Sequence, residues 1–129
     1  VFVPTTVRQY RIEDLADLDG DFELDRGVLV PVSPGGSLHS LLCSRINHLL
    51  CSLVYERQLG KVMCNDPGFI LERGPDTLRG PDVAFVSRER AAMLKTKGFV
   101  DGTPDLAIEI VGPEASVPEA IRKTAQYLA

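Results

Sequence analysis

The 129-residue chain has no apolar run near the roughly 18 residues that a membrane helix needs. It has no C-x-x-C pair, no internal repeat and no low-complexity tract. Its start, VFVPTTVRQYRIEDL, lacks the charged-then-apolar layout of a secretory signal. Cysteine is scarce: Cys43, Cys51 and Cys64, an odd number with no metal-type spacing. That suggests neither a disulfide framework nor a zinc site and predicts reduced thiols, serving as small apolar core residues of a cytoplasmic protein. Positive charge is also short, with 14 Lys and Arg against 18 Asp and Glu and a net charge of -4. This argues against tight nonspecific nucleic-acid binding, which draws on a basic surface. A protein that holds a cation and meets nucleic acid through it stays compatible with the balance.

What is present is globular. The composition is 44% hydrophobic and 25% charged, enough for one core, and the length suits a single domain. RIEDLADL (11–18) has the spacing of a short helix, and DGD breaks it. FELDRGVLVPVS predicts a hairpin in which Phe22 and Leu24 alternate with Glu23 and Asp25. Ser37 can cap a long helix over about residues 38–58, where Leu38, Leu41, Leu42, Ile46, Leu49, Leu50 and Leu53 form one broad apolar stripe. His39 falls at the edge of that stripe and Arg45 within it, its head snorkelling to water. KVMCNDPGFIL predicts two short strands around an NDPG turn, PDVAFVS (81–87) a strand, and RERAAML one or two helical turns. VPEAIRKTAQYLA predicts a helix with Pro118 in its first turn and Ile121, Ala125 and Leu128 on one face. The order implies an α/β fold, α+β mixed, with a central mixed sheet flanked by helices.

DLAIEIVGP (105–113) poses a chemical question, because Glu109 interrupts a run that reads as a strand buried on both faces. An ionised carboxylate there needs a partner, a proton or a metal. By strand alternation Glu109 shares a face with Ala107 and Val111, and Asp82 shares one with Ala84 and Val86. If the two strands are neighbours, Asp82 and Glu109 converge. With a main-chain carbonyl such as that of Ile110 they suit a hard cation, Mg2+ or Mn2+. The alternative from spacing alone is that Asp82 caps a turn and Glu109 pairs with an arginine.

Taken together, RGPDVAFVS, GTPDLAIEIVGP and VPEAIRKTAQYLA, with FELDRGVLVPVSP, SLHSLL and the GF of residues 68–69 upstream, resemble the Uma-type family of the PD-(D/E)XK nuclease superfamily. The likeness covers nearly all of residues 10–129. It implies a restriction-endonuclease-like core, with the chain a single nuclease domain lacking its C-terminal strands. It implies metal-dependent hydrolysis of DNA phosphodiester bonds, with DNA as partner, no membrane, and a homodimer left open. Carried over by position, Asp82, Glu109 and Glu23 form the acidic cluster and, with the Ile110 carbonyl, hold Mg2+ or Mn2+. His39 stands near the site and Lys123 supplies the catalytic lysine. The sequence departs from the superfamily's plain E-x-K pattern, which would put lysine where Val111 stands. It also has Val28 where the hairpin of the family carries glutamate. Two other classes remain: a catalytically inactive nuclease-fold module that binds nucleic acid or protein, and a structural domain whose acidic residues form surface ion pairs, with Glu109 exposed.

Overall fold

The computed structural model describes residues 7–113 and 116–129. A 3-10 turn, Ile12–Asp17, leads into a hairpin of β1 (Phe22–Asp25) and β2 (Val28–Pro31). Helix α1 (Ser37–Glu56) follows, then β3 (Gly60–Cys64), β4 (Phe69–Glu72), β5 (Thr77–Arg79) and β6 (Val83–Ser87). A single helical turn, α2 (Arg88–Ala91), precedes β7 (Val100–Asp101), β8 (Leu106–Ile108) and helix α3 (Val117–Leu128). The fold class matches the sequence expectation, although the hydrogen bonds divide the strands into two sheets. One has the order β2-β1-β5-β4-β7, antiparallel except for β4 with β7; the other is antiparallel, β3-β6-β8. The two strands flanking NDPG therefore belong to different sheets, and that turn is a crossing rather than a hairpin.

Each sheet has its own apolar centre. Ile12, Leu24 and Leu78 pack beneath the 3-10 turn, with Tyr10, Leu15, Leu29 and Ile70 around them. Phe69 of the first sheet packs against Ala84 and Val86 of the second and ties the two together. Burial of such an aromatic typically stabilises by about 3–5 kcal/mol relative to alanine.

Three expectations change in the folded chain. First, the leucine stripe of α1 is not its inner face. Leu38, Leu41, Leu42, Leu49 and Leu53 are all exposed, and Val54 is the helix's one fully buried residue. The inner face is offset by about one residue and runs His39, Cys43, Ile46, Asn47, Leu50, Cys51, Val54. The helix packs on β3 and β6, the narrow three-stranded sheet, which covers only a strip of it. Arg45 is exposed, and the cysteines are partly buried (Cys43, Cys51) or exposed (Cys64), all as free thiols. Gly36, not Ser37, is the N-cap.

Second, the alternation of Phe22 and Leu24 with Glu23 and Asp25 does not separate an inner from an outer face. All but Phe22 of β1 is buried. Third, β8 is an edge strand that ends at Ile108, so Glu109 follows the strand instead of sitting at its centre. Leu106 and Val111 are exposed. No helix among the described residues is long and apolar enough to cross a membrane.

Candidate active site

β6 and β8 are antiparallel neighbours with Ala84 opposite Ala107 and Val83 opposite Ile108. Extending that register by one residue sets Asp82 opposite Glu109, on the face shared by Ala84 and Ala107. The two acidic residues meet just beyond paired strand ends. The Ile110 N–H donates to Asp82 Oδ2 at 2.6 Å and fixes that carboxylate. The other oxygen, Oδ1, lies 3.1 Å from His39 Nε2, which α1 delivers from its first turn.

Glu23 arrives from β1 of the other sheet. Its Oε1 accepts from the Gly80 N–H at 2.8 Å and its Oε2 from Arg79 Nη1 at 2.9 Å. Lys123 of α3 closes the group: its Nζ is 2.7 Å from Glu109 Oε1, 3.0 Å from Glu23 Oε1 and 3.3 Å from the Gly80 carbonyl. Tyr127, one turn further on, donates its hydroxyl to the same Glu109 oxygen at 2.9 Å. The five residues expected from the sequence thus fall into two contact groups, His39 with Asp82 and Glu23 with Lys123 and Glu109; the amide of Ile110, next in chain to Glu109, links them by bonding Asp82.

Glu109 is paired, by a lysine and a tyrosine rather than an arginine, and its side chain is only 19% exposed. That contradicts the surface-ion-pair alternative, which needed Glu109 in solvent. Val111, where the plain pattern would carry lysine, is exposed, and α3 supplies the ammonium instead. Val28 lies opposite Asp25 across the hairpin and is half exposed.

Helix α3 turns its polar stripe inward. Glu119, Lys123, Gln126 and Tyr127 recur at i, i+4, i+7, i+8 and are partly buried, while Ile121 and Leu128 are exposed. The partner of that stripe is Arg79, whose side chain is fully buried. Its Nη1 bonds Glu23 and Glu119 (2.8 Å to the latter), and its Nε donates to Gln126 Oε1 at 2.7 Å. Its Nη2 lies 3.3 Å from Asp25 Oδ2 but without hydrogen-bond geometry. Asp25 also receives Gln126 Nε2 at 2.8 Å and the Arg122 guanidinium. The Ser116 hydroxyl caps the helix by accepting from the Glu119 N–H.

The proton affinities follow from this packing. Burial raises the Glu109 carboxyl, and the Asp82 charge adds to it, outweighing the opposing pull of Lys123 and Tyr127. Lys123 is itself penalised by burial, yet Glu23 and Glu109 together hold its pKa above the ordinary lysine value. The Tyr127 phenol is pushed up by burial and by Glu109, so it remains a proton donor. Asp66, in the turn before β4, is exposed as a residue. Local burial and the charges of Asp82 and Glu23 nevertheless raise it. Burial, with Asp82 and Asp66, also keeps Cys43 a thiol.

Reading the sequence missed Asp66, Arg79, Gln126 and Tyr127. Gln126 and Tyr127 carried a signal, being at i+3 and i+4 from Lys123. Arg79 precedes the GPD segment with nothing local to mark it, and Asp66 read only as part of a turn. A cleft of about 520 Å³, lined in part by Leu15, Phe22, Glu23, Asp66, Gly80 and Phe99, opens beside this group.

Arranged so, the group offers several carboxylate oxygens beside one ammonium, one imidazole and one phenol. The donor set is hard and anionic, which fits a divalent cation of the Mg2+ or Mn2+ class.

Known proteins bear on the fold and the family. A crystal structure of a putative nuclease belonging to DUF820 from Anabaena variabilis is similar over 90% of this chain, with a TM-score of 0.73 and 17% sequence identity. The match covers 66% of that protein, just under two thirds of its length. At that identity it establishes the shared fold. None of the curated proteins compared with the chain matches it. The model of the Uma2 family, described as "Putative restriction endonuclease", matches residues 8–129, nearly the whole chain, and the chain belongs to that family.

Proposed function

We propose that the chain is a metal-dependent endonuclease that hydrolyses DNA phosphodiester bonds. The observation that carries this reading is the pairing of Glu23 and Glu109 by the Lys123 ammonium, with Asp82 opposite Glu109 across the ends of β6 and β8 and fixed by the Ile110 amide. Asp82, Glu109 and Glu23, with the Ile110 carbonyl, would hold Mg2+ or Mn2+. Such an ion, when bound, lowers the pKa of a coordinated water and offsets charge on the phosphate.

The chain's own residues do the rest. Lys123, held charged by its two carboxylates, stabilises developing negative charge on phosphorus-bound oxygens or orients the attacking water. His39 and the Ile110 amide hold the Asp82 carboxylate in one orientation. Tyr127 keeps Glu109 aligned. The net negative charge fits a protein that meets a polyanion through its bound cation instead of a basic face. A cytoplasmic location is part of the same proposal, supported by three free thiols.

The test is nicking of supercoiled plasmid by the purified chain in Mg2+ or Mn2+, with cation binding followed by calorimetry. Cleavage is expected in the parent and is lost in Glu109→Gln and Asp82→Asn. Absence of cleavage together with retained Mn2+ binding would indicate the non-catalytic module. Absence of both would sink the metal reading altogether.

A further inference from the structure

We infer that His39, Cys43 and Asp82 form a second cation site, adjoining the acidic group, for a borderline-soft divalent cation of the Zn2+ class. The spacing of the cysteines alone points to no zinc site. The fold supplies what the cysteines lack, by setting a histidine and a carboxylate beside Cys43.

His39 and Cys43 are four residues apart on the inner face of α1, the spacing that stacks two side chains one turn apart on a helix. Their side chains already touch, with Cys43 Sγ 3.6 Å from His39 Nδ1. Asp82 faces them from the start of β6, its Oδ1 3.1 Å from His39 Nε2. One ligand atom from each of the three residues can be chosen so that all lie within 4.8 Å of one another. In a tetrahedral zinc site, bonds of about 2.0–2.1 Å to N and O and about 2.3 Å to S place ligand atoms roughly 3.3–3.6 Å apart. The sulfur faces Nδ1 and the carboxylate faces Nε2, so binding requires the imidazole to turn and present one nitrogen to the ion shared with Cys43 and Asp82.

The surroundings favour this use. Asp82 Oδ2 is held by the Ile110 amide, which leaves Oδ1 turned toward the imidazole. Gly35 lies against the ring, where a Cβ would come within 2.7 Å of Nδ1. A side chain at position 35 would collide with the imidazole, so glycine there leaves room for the ring beside Asp82. The donor chemistry also separates this trio from its neighbours. Sulfur and imidazole nitrogen prefer Zn2+ or Co2+, whereas Glu23 and Glu109 offer only hard oxygens. Binding converts the Cys43 thiol to a metal-bound thiolate and releases its proton to the buffer, while His39 enters neutral. Asp82 and His39 are shared with the candidate active site, and Cys43 is the ligand that belongs to this site alone; Zn2+ binding requires no nuclease activity.

The experiment uses the chain with Cys51→Ser and Cys64→Ser, leaving Cys43 as its one thiol. Titration with Co2+ should produce a thiolate-to-cobalt charge-transfer band that saturates at one ion per chain and disappears when Zn2+ is added. Cys43→Ser should abolish the band, and both Cys43→Ser and His39→Gln should weaken Zn2+ by tenfold or more. Glu109→Gln should leave Zn2+ binding within twofold while losing Mn2+, so failure of the hard-cation site is read separately. In case the serine variant does not fold, alkylation of Cys43 by iodoacetamide should slow at least tenfold with Zn2+ in the parent background. Absence of the band, Zn2+ binding unchanged in folded Cys43→Ser, or alkylation indifferent to Zn2+ would each overturn the site.

Discussion

Lys123 Nζ stands 2.7 Å from Glu109 Oε1, and the same ammonium holds Glu23 at 3.0 Å. One lysine therefore neutralises carboxylates that come from different sheets. Replacing it by methionine keeps the volume and removes the charge. Breaking a buried pair from one side typically costs about 3–5 kcal/mol, because the abandoned charges stay buried. Urea denaturation of Lys123→Met at neutral pH should show a loss of that order. Mn2+ should then raise the Tm of the variant more than that of the parent, since the two carboxylates are released to the cation. Cleavage, where the parent cuts, should fall by roughly 10²–10³-fold.

Glu109 gives the site a pH signature. Its folded pKa lies above the ordinary value of 4.5, so between the two values the folded chain binds a proton that the unfolded chain has released. Its contribution to stability is complete below the ordinary value and is lost as pH rises through the raised one. Asp66 shifts in the same direction. Asp25 and Asp76 shift downward, so their contributions are lost instead on acidification. Glu109→Gln imitates the protonated form. The Tm of the variant minus that of the metal-free parent should therefore grow between about pH 4 and pH 7. A constant difference across that range would mean that Glu109 does not titrate there.

Arg79 is the fully buried cation from which Glu23, Asp25, Glu119 and Gln126 are hung. Arg79→Met should cost about 3–5 kcal/mol by the same uncompensated-charge argument. Arg79→Lys should recover little of it, because a single ammonium cannot reproduce a planar fork that serves several partners. Hydrogen exchange should show α3 amides losing protection in both variants, since Glu119 and Gln126 dock the helix through this side chain.

Gly80 sits where the β5–β6 connection passes Asp66. A Cβ there would meet the Asp66 carbonyl oxygen at 3.0 Å and the Asp66 Cβ at 3.2 Å. Gly80 also donates its amide to Glu23 and its carbonyl faces Lys123. Gly80→Ala should cost about 1–3 kcal/mol as the turn or the site yields. It should also weaken Mn2+, measured by calorimetry, while Gly112→Ala, with open space around its Cβ position, serves as the control.

The grouping of the candidate site residues was legible in the sequence for a reason that can be traced. Asp82 and Glu109 lie at the ends of short strands whose period-2 alternation assigns them a face, and the order of segments resembles one family along most of the chain. Their convergence needed only that β6 and β8 be neighbours, and they are. Lys123 was reachable because a helix following the acidic strand can lie across it. Arg79 was not, because its importance comes from contacts 40 to 56 residues away in sequence.

What the sequence determined by itself was local: the hairpin, the long helix, the short strands and the helical phase of Lys123 with Tyr127. These depend on periodicity and turn chemistry within a few residues. Only the tertiary structure decided which face of each element is inside. The leucines of α1 form the more apolar stripe, yet His39 and Cys43 face inward with Val54. The polar stripe of α3 does the same, and so do Glu23 and Asp25 of β1. Periodicity measures hydrophobicity, and by that measure a polar side chain belongs in water. These go inside because Arg79, Lys123 and the carboxylates satisfy one another there, and that mutual pairing exists only once two sheets and a helix have been brought to the same point.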